Sequence, residues 1–446
     1  MVPQTLTLSD YKLLFGILYI LCNISCCSFT SEDCFSEKEF FSDHLGSKTA
    51  YDFVANTEDS QIRFDGCEPK KIWTIVRHGS RYPSREIIVQ MKNLDKLKAE
   101  IIKNHQNKRG DLCPSTLSKL DEWSFNVNVN DSKKLVHEGE DEMIELAERY
   151  QKRFPEILPE NYQNLTYQFR YTATQRTEES KRYFTIGLFD RKVARHVWSP
   201  DPIDKDPLLR FYKRCSKWKR EVKHNSKSAV EKEKFLATDN MKNVISTVSR
   251  RLGFYRNLTV VFTMYNACSF ESAWSYYHKS PWCYVFSKED LQVLEYVGDL
   301  EKYWQSGYGY EINYKQACPI VKDMFKHMTS EKEPRSTFYF THSGTVLKVL
   351  AHLGLYRDRN PLKHDNLSMD RLWRTSRIDA FATNIAFVLF RCEDGEKVLT
   401  MHQEKPVVLP GCEKELCPLE VLQKEYHDSI YDCDFNGLCG EDRSRG

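Results

Sequence analysis

Residues 77–83 read Arg77-His78-Gly79-Ser80-Arg81-Tyr82-Pro83 and follow the apolar run Ile72 to Val76. A histidine between two arginines at the end of a buried strand needs an anionic partner, because unpaired buried charge is strongly unfavourable. The segment holds no acidic residue, so the anion is read as a ligand. Guanidinium forks match phosphate oxygens two at a time. Like charge keeps a histidine in such company neutral, leaving one ring nitrogen free to attack phosphorus. Gly79 is read as letting the backbone approach that ligand closely. The competing reading is a surface Arg/His cluster that binds nothing in particular.

The surrounding elements place this turn. Apolar runs at Ile72–Val76, Tyr167–Tyr171 and Thr337–Phe340 read as strands, and Ala386–Phe390 is a fourth candidate. The first three lead into Arg77-His78, Thr172-Ala173-Thr174-Gln175-Arg176 and Thr341-His342. Helical periods lie between them, at Met143, Ala147, Tyr150 and Phe154, and again at Val346, Val349, Leu350 and Leu353 before Gly354. Strand–turn–helix units of this kind predict an α/β fold with ligands at the carboxyl ends of its strands. The expected architecture is a mixed, mainly parallel sheet flanked by helices. Residues 28–189 and 311–446 form its core in this reading. Residues 190–310, rich in Lys, Arg, Trp and Tyr, are read as a mostly helical cap insertion. The basic run Arg214–Arg220 within it reads as a solvated helix face.

The chain has 446 residues, with 65 Lys plus Arg against 63 Asp plus Glu. That balance argues against a nucleic-acid binder, so an anion site must be a local cluster of charge. Lys12, the apolar Leu13–Leu21 and the small residues Ser25 to Cys27 read as a signal peptide over residues 1–27. Of the 15 cysteines, twelve follow that segment, an even number that suggests up to six disulfides. Sequons at Asn130, Asn164, Asn257 and Asn366 agree with a secretory route. The expected destination is the secretory pathway and release from the cell, with the endoplasmic reticulum lumen or the cell surface as alternatives. No membrane span is expected after signal cleavage.

Arg77-His78-Gly79-x-Arg81-x-Pro83 resembles the RHGxRxP signature of the histidine acid phosphatases, the branch that includes phytases. Other stretches resemble the multiple inositol polyphosphate phosphatases in particular, in that family's order. They are Gly46–Tyr51, Tyr171–Arg176 with Ser180 and Gly187, Trp373–Ile378, Ala382–Asn384 and Leu409–Cys412. The resemblance implies the histidine phosphatase fold. It implies that His78 attacks the phosphoryl group to give a phosphohistidine. Arg77, Arg81 and Arg176 would bind phosphate oxygens, and His342 would be the second active-site histidine, bonded to one of them. The implied partner is a small polyphosphorylated substrate, chiefly inositol hexakisphosphate and lower forms, with 2,3-bisphosphoglycerate as a further substrate. Lys48, Lys181 and Arg182 suit a polyanion, or are ordinary surface residues. No cofactor or metal is implied, because the arginines already supply the positive charge.

One position departs from the family. The second histidine is normally followed by an acid, as His-Asp or His-Ala-Glu, whereas this chain reads His342-Ser343-Gly344. An inositol alkoxide is a poor leaving group, and loss of a general acid lowers rates by about 10²–10⁴. Asp379, Asp358 or Glu86 could take over the role, or a neighbouring substrate phosphate could supply the proton. The remaining alternatives are a catalytically silent polyanion-binding protein and a broad-specificity acid phosphatase.

Overall fold

The structure, a computed structural model, describes residues 34–35, 42–275, 279–332 and 334–440. The predicted signal peptide lies outside the described residues. The sheet is built from β1 (Cys67–Arg77), β2 (Tyr167–Tyr171), β3 (Ser336–Thr341), β4 (Asn384–Cys392), β5 (Gly395–His402), β6 (Lys405–Pro406) and β7 (Leu416–Pro418). Its order is β2-β3-β1-β4-β5-β6, with β7 also paired to β5. β2, β3 and β1 run parallel, while β4 and the later strands add antiparallel pairs. All four strands read from the sequence are present.

Central strands buried on both faces need apolar residues at every position. Along β1, Trp73 and Ile75 point to one side, and Ile72 and Val76 to the other. The second side is covered by two helices. α1 (Arg85–Lys92), α2 (Leu94–Gln106) and α3 (Pro114–Glu122) precede α4 (His137–Arg153) and α5 (Gln175–Ala194), and it is α4 and α5 that cover Ile72 and Val76. Met143, Ala147 and Tyr150 of α4 meet Phe184 and Leu188 of α5 there.

The first side lies under the helical layer, which includes α6 (Asp239–Leu252), α7 (Leu258–Ser272), α8 (Lys288–Ser306) and α9 (Cys318–Thr329). α1, α2 and α3 join this layer, with Ile88, Met91, Leu97 and Leu120 in the same core as Val244, Val248 and Met264. The helical layer is thus drawn from two stretches of chain, one of them N-terminal to β2. α10 (Ser343–His352) follows β3 and ends at Gly354, whose φ of +77° suits the left-handed turn.

All twelve cysteines outside the signal region pair: 34 with 113, 67 with 392, 215 with 439, 268 with 283, 318 with 433 and 412 with 417. Cys67–Cys392 joins the first residue of β1 to the last of β4 across 325 residues. Replacing both by alanine is expected to lower stability by roughly 2–5 kcal/mol, read by thermal unfolding, because the denatured chain loses a long-range crosslink. No helix among the described residues is long and apolar enough to cross a membrane.

Candidate active site

Parallel strands expose their carboxyl ends to a common edge. There β1 delivers Arg77 and His78, β3 delivers His342, and the turn after β2 delivers Arg176 in the first turn of α5. The His78 amide donates to Thr341 O at 3.0 Å, locking the two strand ends together. The His78 and His342 ring centroids are 5.5 Å apart. Arg81, in the loop after β1, acts on both imidazoles, so all five residues expected at the site are gathered at this edge.

His78 is 3 % exposed, and its Nδ1 lies 2.9 Å from the carbonyl of Gly79. A carbonyl only accepts, so Nδ1 carries the proton and Nε2 keeps its lone pair. Burial, then Arg176, Arg77, His342 and Arg81, hold the imidazole well below its ordinary range and therefore neutral. His342 is neutral for the same reasons, burial first and then Arg176 and Arg210. Its Nδ1 accepts from Arg176 Nη2 at 3.3 Å and its Nε2 donates to Thr172 Oγ1 at 2.9 Å. That arrangement fixes the tautomer through two neighbours of opposite character.

The guanidinium of Arg77 packs over Phe381 at 4.6 Å and donates to the backbone carbonyl of Asp379. Burial followed by Arg176 and Arg77 pushes the Arg81 guanidinium down to about 9. Burial followed by Arg210 pushes Arg176 to about 10. Among the described residues, none of Arg81, Arg176 and Arg210 forms an ion pair with a carboxylate. Such mutual repulsion without neutralisation is relieved by an anion bound between the groups.

Gly79 has a packing role that the sequence did not reveal. A Cβ there would lie 2.4 Å from the carbonyl oxygen of Gly139, so the glycine permits contact with the start of α4. Beside it, the buried Glu142 of α4 accepts from the Ser80 amide at 2.6 Å, the Ser80 hydroxyl at 2.9 Å and the Tyr51 amide at 3.0 Å. One carboxyl thus ties the phosphate loop to the turn that carries Lys48. Burial, then Lys302, lower the Lys48 ammonium to about 8, with Arg81 and Arg77 adding to the effect. Lys181 lies over the ring of Tyr171, and Arg182 pairs with Glu179 on the surface.

Arg210, Tyr212 and Lys302 were not anticipated. The Leu209 carbonyl accepts from Thr341 Oγ1 at 2.6 Å and Thr345 Oγ1 at 2.7 Å, pinning this segment to the strand end. Asp206, salt-bridged to Arg170 at 2.9 Å, also accepts from the Leu208 and Leu209 amides. Arg210 consequently stands beside Arg176 and His342, and Tyr212 beside Gly344.

The three acids proposed from sequence separate clearly. Glu86 is solvent-exposed, held below its ordinary range by Ser84. Asp358 accepts from the Leu372 and Trp373 amides at 2.7 and 3.0 Å, where it orders a loop. Asp379 alone reaches the site, with Oδ1 3.6 Å from Arg77 Nη1 and Oδ2 accepting from Ser343.

The family model described as "Histidine phosphatase superfamily (branch 2)" matches residues 70–404. A Drosophila melanogaster protein named "Multiple inositol polyphosphate phosphatase 1" is 35% identical, with 89% of this chain and 86% of that one covered. The Homo sapiens protein of the same name is 29% identical, with 89% of each covered. Among solved structures, a phytase from D. castellii aligns with a TM-score of 0.72 at 15% identity, covering 90% of this chain and 88% of that one. The Bifidobacterium longum multiple inositol polyphosphate phosphatase bound to inositol hexasulfate aligns with a TM-score of 0.64 at 13% identity, covering 88% and 98%. With three-quarters of its length inside the family model and a relative this similar, the chain belongs to branch 2 of the histidine phosphatase superfamily, among the multiple inositol polyphosphate phosphatases.

Proposed function

We propose that this protein hydrolyses phosphomonoesters of inositol polyphosphates through a phosphohistidine on His78. The observation that carries this reading is the neutral His78 ring, its Nε2 free, set beside Arg77 and among Arg81 and Arg176, neither of which has a carboxylate partner among the described residues. Nε2 attacks phosphorus and the P–O bond to the inositol breaks; water then cleaves the N–P bond and restores the enzyme. Arg77, Arg81 and Arg176 hold the phosphoryl oxygens and stabilise the charge that grows on them in the transition state. His342, with both ring nitrogens engaged by Thr172 and Arg176, positions that arginine. The first turn of α10 adds backbone N–H groups at the same edge.

The substrate class follows from charge beyond the reacting phosphate. Lys48, with Lys302 next to it, interacts with Arg81 and Arg77, and Arg210 interacts with Arg176 and His342, so the positive charge exceeds the three arginines assigned to the reacting phosphate. A single phosphate does not need this additional charge, whereas a ring bearing several phosphates does. The Drosophila and human relatives carry the inositol polyphosphate name, which supports the same reading. The six disulfides support passage through an oxidising, secretory compartment.

The test compares kcat/KM on inositol hexakisphosphate and on p-nitrophenyl phosphate. Preference for the hexakisphosphate supports the reading, and preference for the aryl ester points to a broad acid phosphatase. Arg210→Ala is expected to raise KM for the hexakisphosphate about 10-fold or more, as the loss of a charge-assisted contact would. An equal rise on both esters would place Arg210 in the reacting-phosphate seat instead.

A further inference from the structure

A phosphohistidine route on His78, on which this inference rests, needs a proton for the departing inositol oxygen. No acid follows His342 in the sequence. Gly344 does not offer an open space for one either, since a Cβ there would sit 3.3 Å from Tyr212 Cζ.

Two observations identify a substitute. Asp379 is fully buried, and its Oδ1 has no hydrogen-bond partner among the described residues. Its Oδ2 as carboxylate accepts from the hydroxyl of Ser343, a partly exposed residue immediately after His342, and the same bond reverses, Oδ2–H donating to Ser343 Oγ, when the carboxyl is protonated. Ser343 therefore keeps contact with solvent beside His342, while Asp379 is shut off from solvent behind it. A hydroxyl both donates and accepts, so it can pass a proton from a buried carboxyl to a group outside.

We propose that Asp379 and Ser343 form a two-residue proton relay that replaces the absent general acid. In the first step the Nε2–P bond forms and the P–O bond to inositol breaks. The leaving oxygen takes the Ser343 hydroxyl proton, and Ser343 Oγ takes the proton of the Asp379 carboxyl. Asp379 is left as a carboxylate beside Arg77. In the second step water attacks phosphorus and the N–P bond breaks. The water proton passes to Ser343, whose own proton returns to Asp379, and phosphate leaves.

The groups that act on Asp379 come from three elements: the charges of Arg77 on β1 and Lys302 on α8, and the neutral Ser343 hydroxyl on α10. Burial raises the carboxyl above its ordinary range despite Arg77, the Ser343 bond and Lys302, all of which favour the carboxylate. A relay of this kind works only with Asp379 protonated. Turnover of the inositol ester should accordingly fall as pH rises through a carboxyl titration displaced upward from about 4.

The experiment measures kcat on inositol hexakisphosphate and on p-nitrophenyl phosphate, across pH, for wild type, Asp379→Asn and Ser343→Ala. The aryl leaving group hardly needs a proton. The relay predicts a loss of about 10²-fold or more on the inositol ester and a smaller one, within about 10-fold, on the aryl ester. It also predicts disappearance of the alkaline limb in Asp379→Asn, and a double variant no slower than the slower single one. Equal losses on both esters would overturn the relay and make Asp379 a holder of Arg77. An unchanged ratio of rates in Ser343→Ala, whose side chain is not fully buried, would overturn it even if Asp379→Asn failed to fold. Hydrolysis of the aryl ester that depends on His78 checks the phosphatase reading separately, so the two ideas fail in different ways.

Discussion

Alanine in place of His78 removes phosphate release from inositol hexakisphosphate, a fall on the order of 10⁶-fold if the histidine is the nucleophile. The size of the effect reflects what is lost. The arginines can still bind a phosphate without His78, but nothing then accepts the phosphoryl group. The wild-type ring is prepared for attack before substrate arrives, because Nδ1 is bonded to the Gly79 carbonyl and burial with Arg176 and Arg77 keeps the proton off Nε2. Its orientation is further secured by the Thr341 carbonyl and the Ala382 amide, which bracket the His78 backbone at 3.0 and 3.2 Å. Radiolabelled substrate, quenched in alkali to preserve a phosphoramidate bond, should leave label on the wild-type protein and none on His78→Ala. Substantial turnover by a folded His78→Ala variant would refute covalent catalysis at this residue. Binding of the hexakisphosphate with no release by wild type would instead favour the silent binding protein.

The parts of this site that were legible in the sequence are contiguous or sit at strand ends. Arg77, His78 and Arg81 lie within one short segment after an apolar run, where spacing alone brings them together. Arg176 and His342 were legible because each follows a strand, and parallel strands share an edge. Arg210 had no such signal. It reaches the site because Leu209 is pinned by Thr341 and Thr345, hydrogen bonds between residues far apart in sequence. Lys302 was hidden differently, as one charge on a helix that otherwise shows an ordinary mixed face. Asp379 could be named only as one carboxyl among three, because burial and a hydroxyl partner are properties of the fold.

The same distinction holds for the architecture. β1 from Ile72 onward, the middle of β3 and most of β4 were readable because strand segments covered on both faces are mainly apolar. β5 begins Gly395-Glu396-Lys397 and is buried only from Val398 onward, so half of it resembles a turn. The helices over 85–122 have clear amphipathic character, but nothing local says which layer they join. Their apolar residues meet those of α6 and α7, which lie more than a hundred residues away.

Gly79→Ala should be the most damaging substitution that touches neither charge nor nucleophile. The added Cβ would lie 2.4 Å from Gly139 O, 2.9 Å from its Cα and 3.0 Å from its carbonyl carbon. These are backbone atoms at the start of α4, so no flexible side chain can swing aside. The contact is reciprocal, since a Cβ on Gly139 would meet Ser80 O at 2.3 Å and Ser80 N at 2.7 Å. Relief requires α4 and the phosphate loop to separate. Separation stretches the bonds from Glu142 to the Ser80 amide and hydroxyl, and through Tyr51 it disturbs the turn bearing Lys48. Overpacking of this kind costs about 1–3 kcal/mol or more, and a 1 Å displacement of a catalytic group can lower turnover about 10²-fold. The expected result is a lower melting temperature together with a kcat loss on both inositol and aryl esters, because the loop carries the nucleophile itself. That pattern differs from the leaving-group-selective loss expected for Asp379→Asn. Wild-type activity and stability in Gly79→Ala would show that the loop and α4 can part without cost, and would remove the steric reason for glycine at both positions.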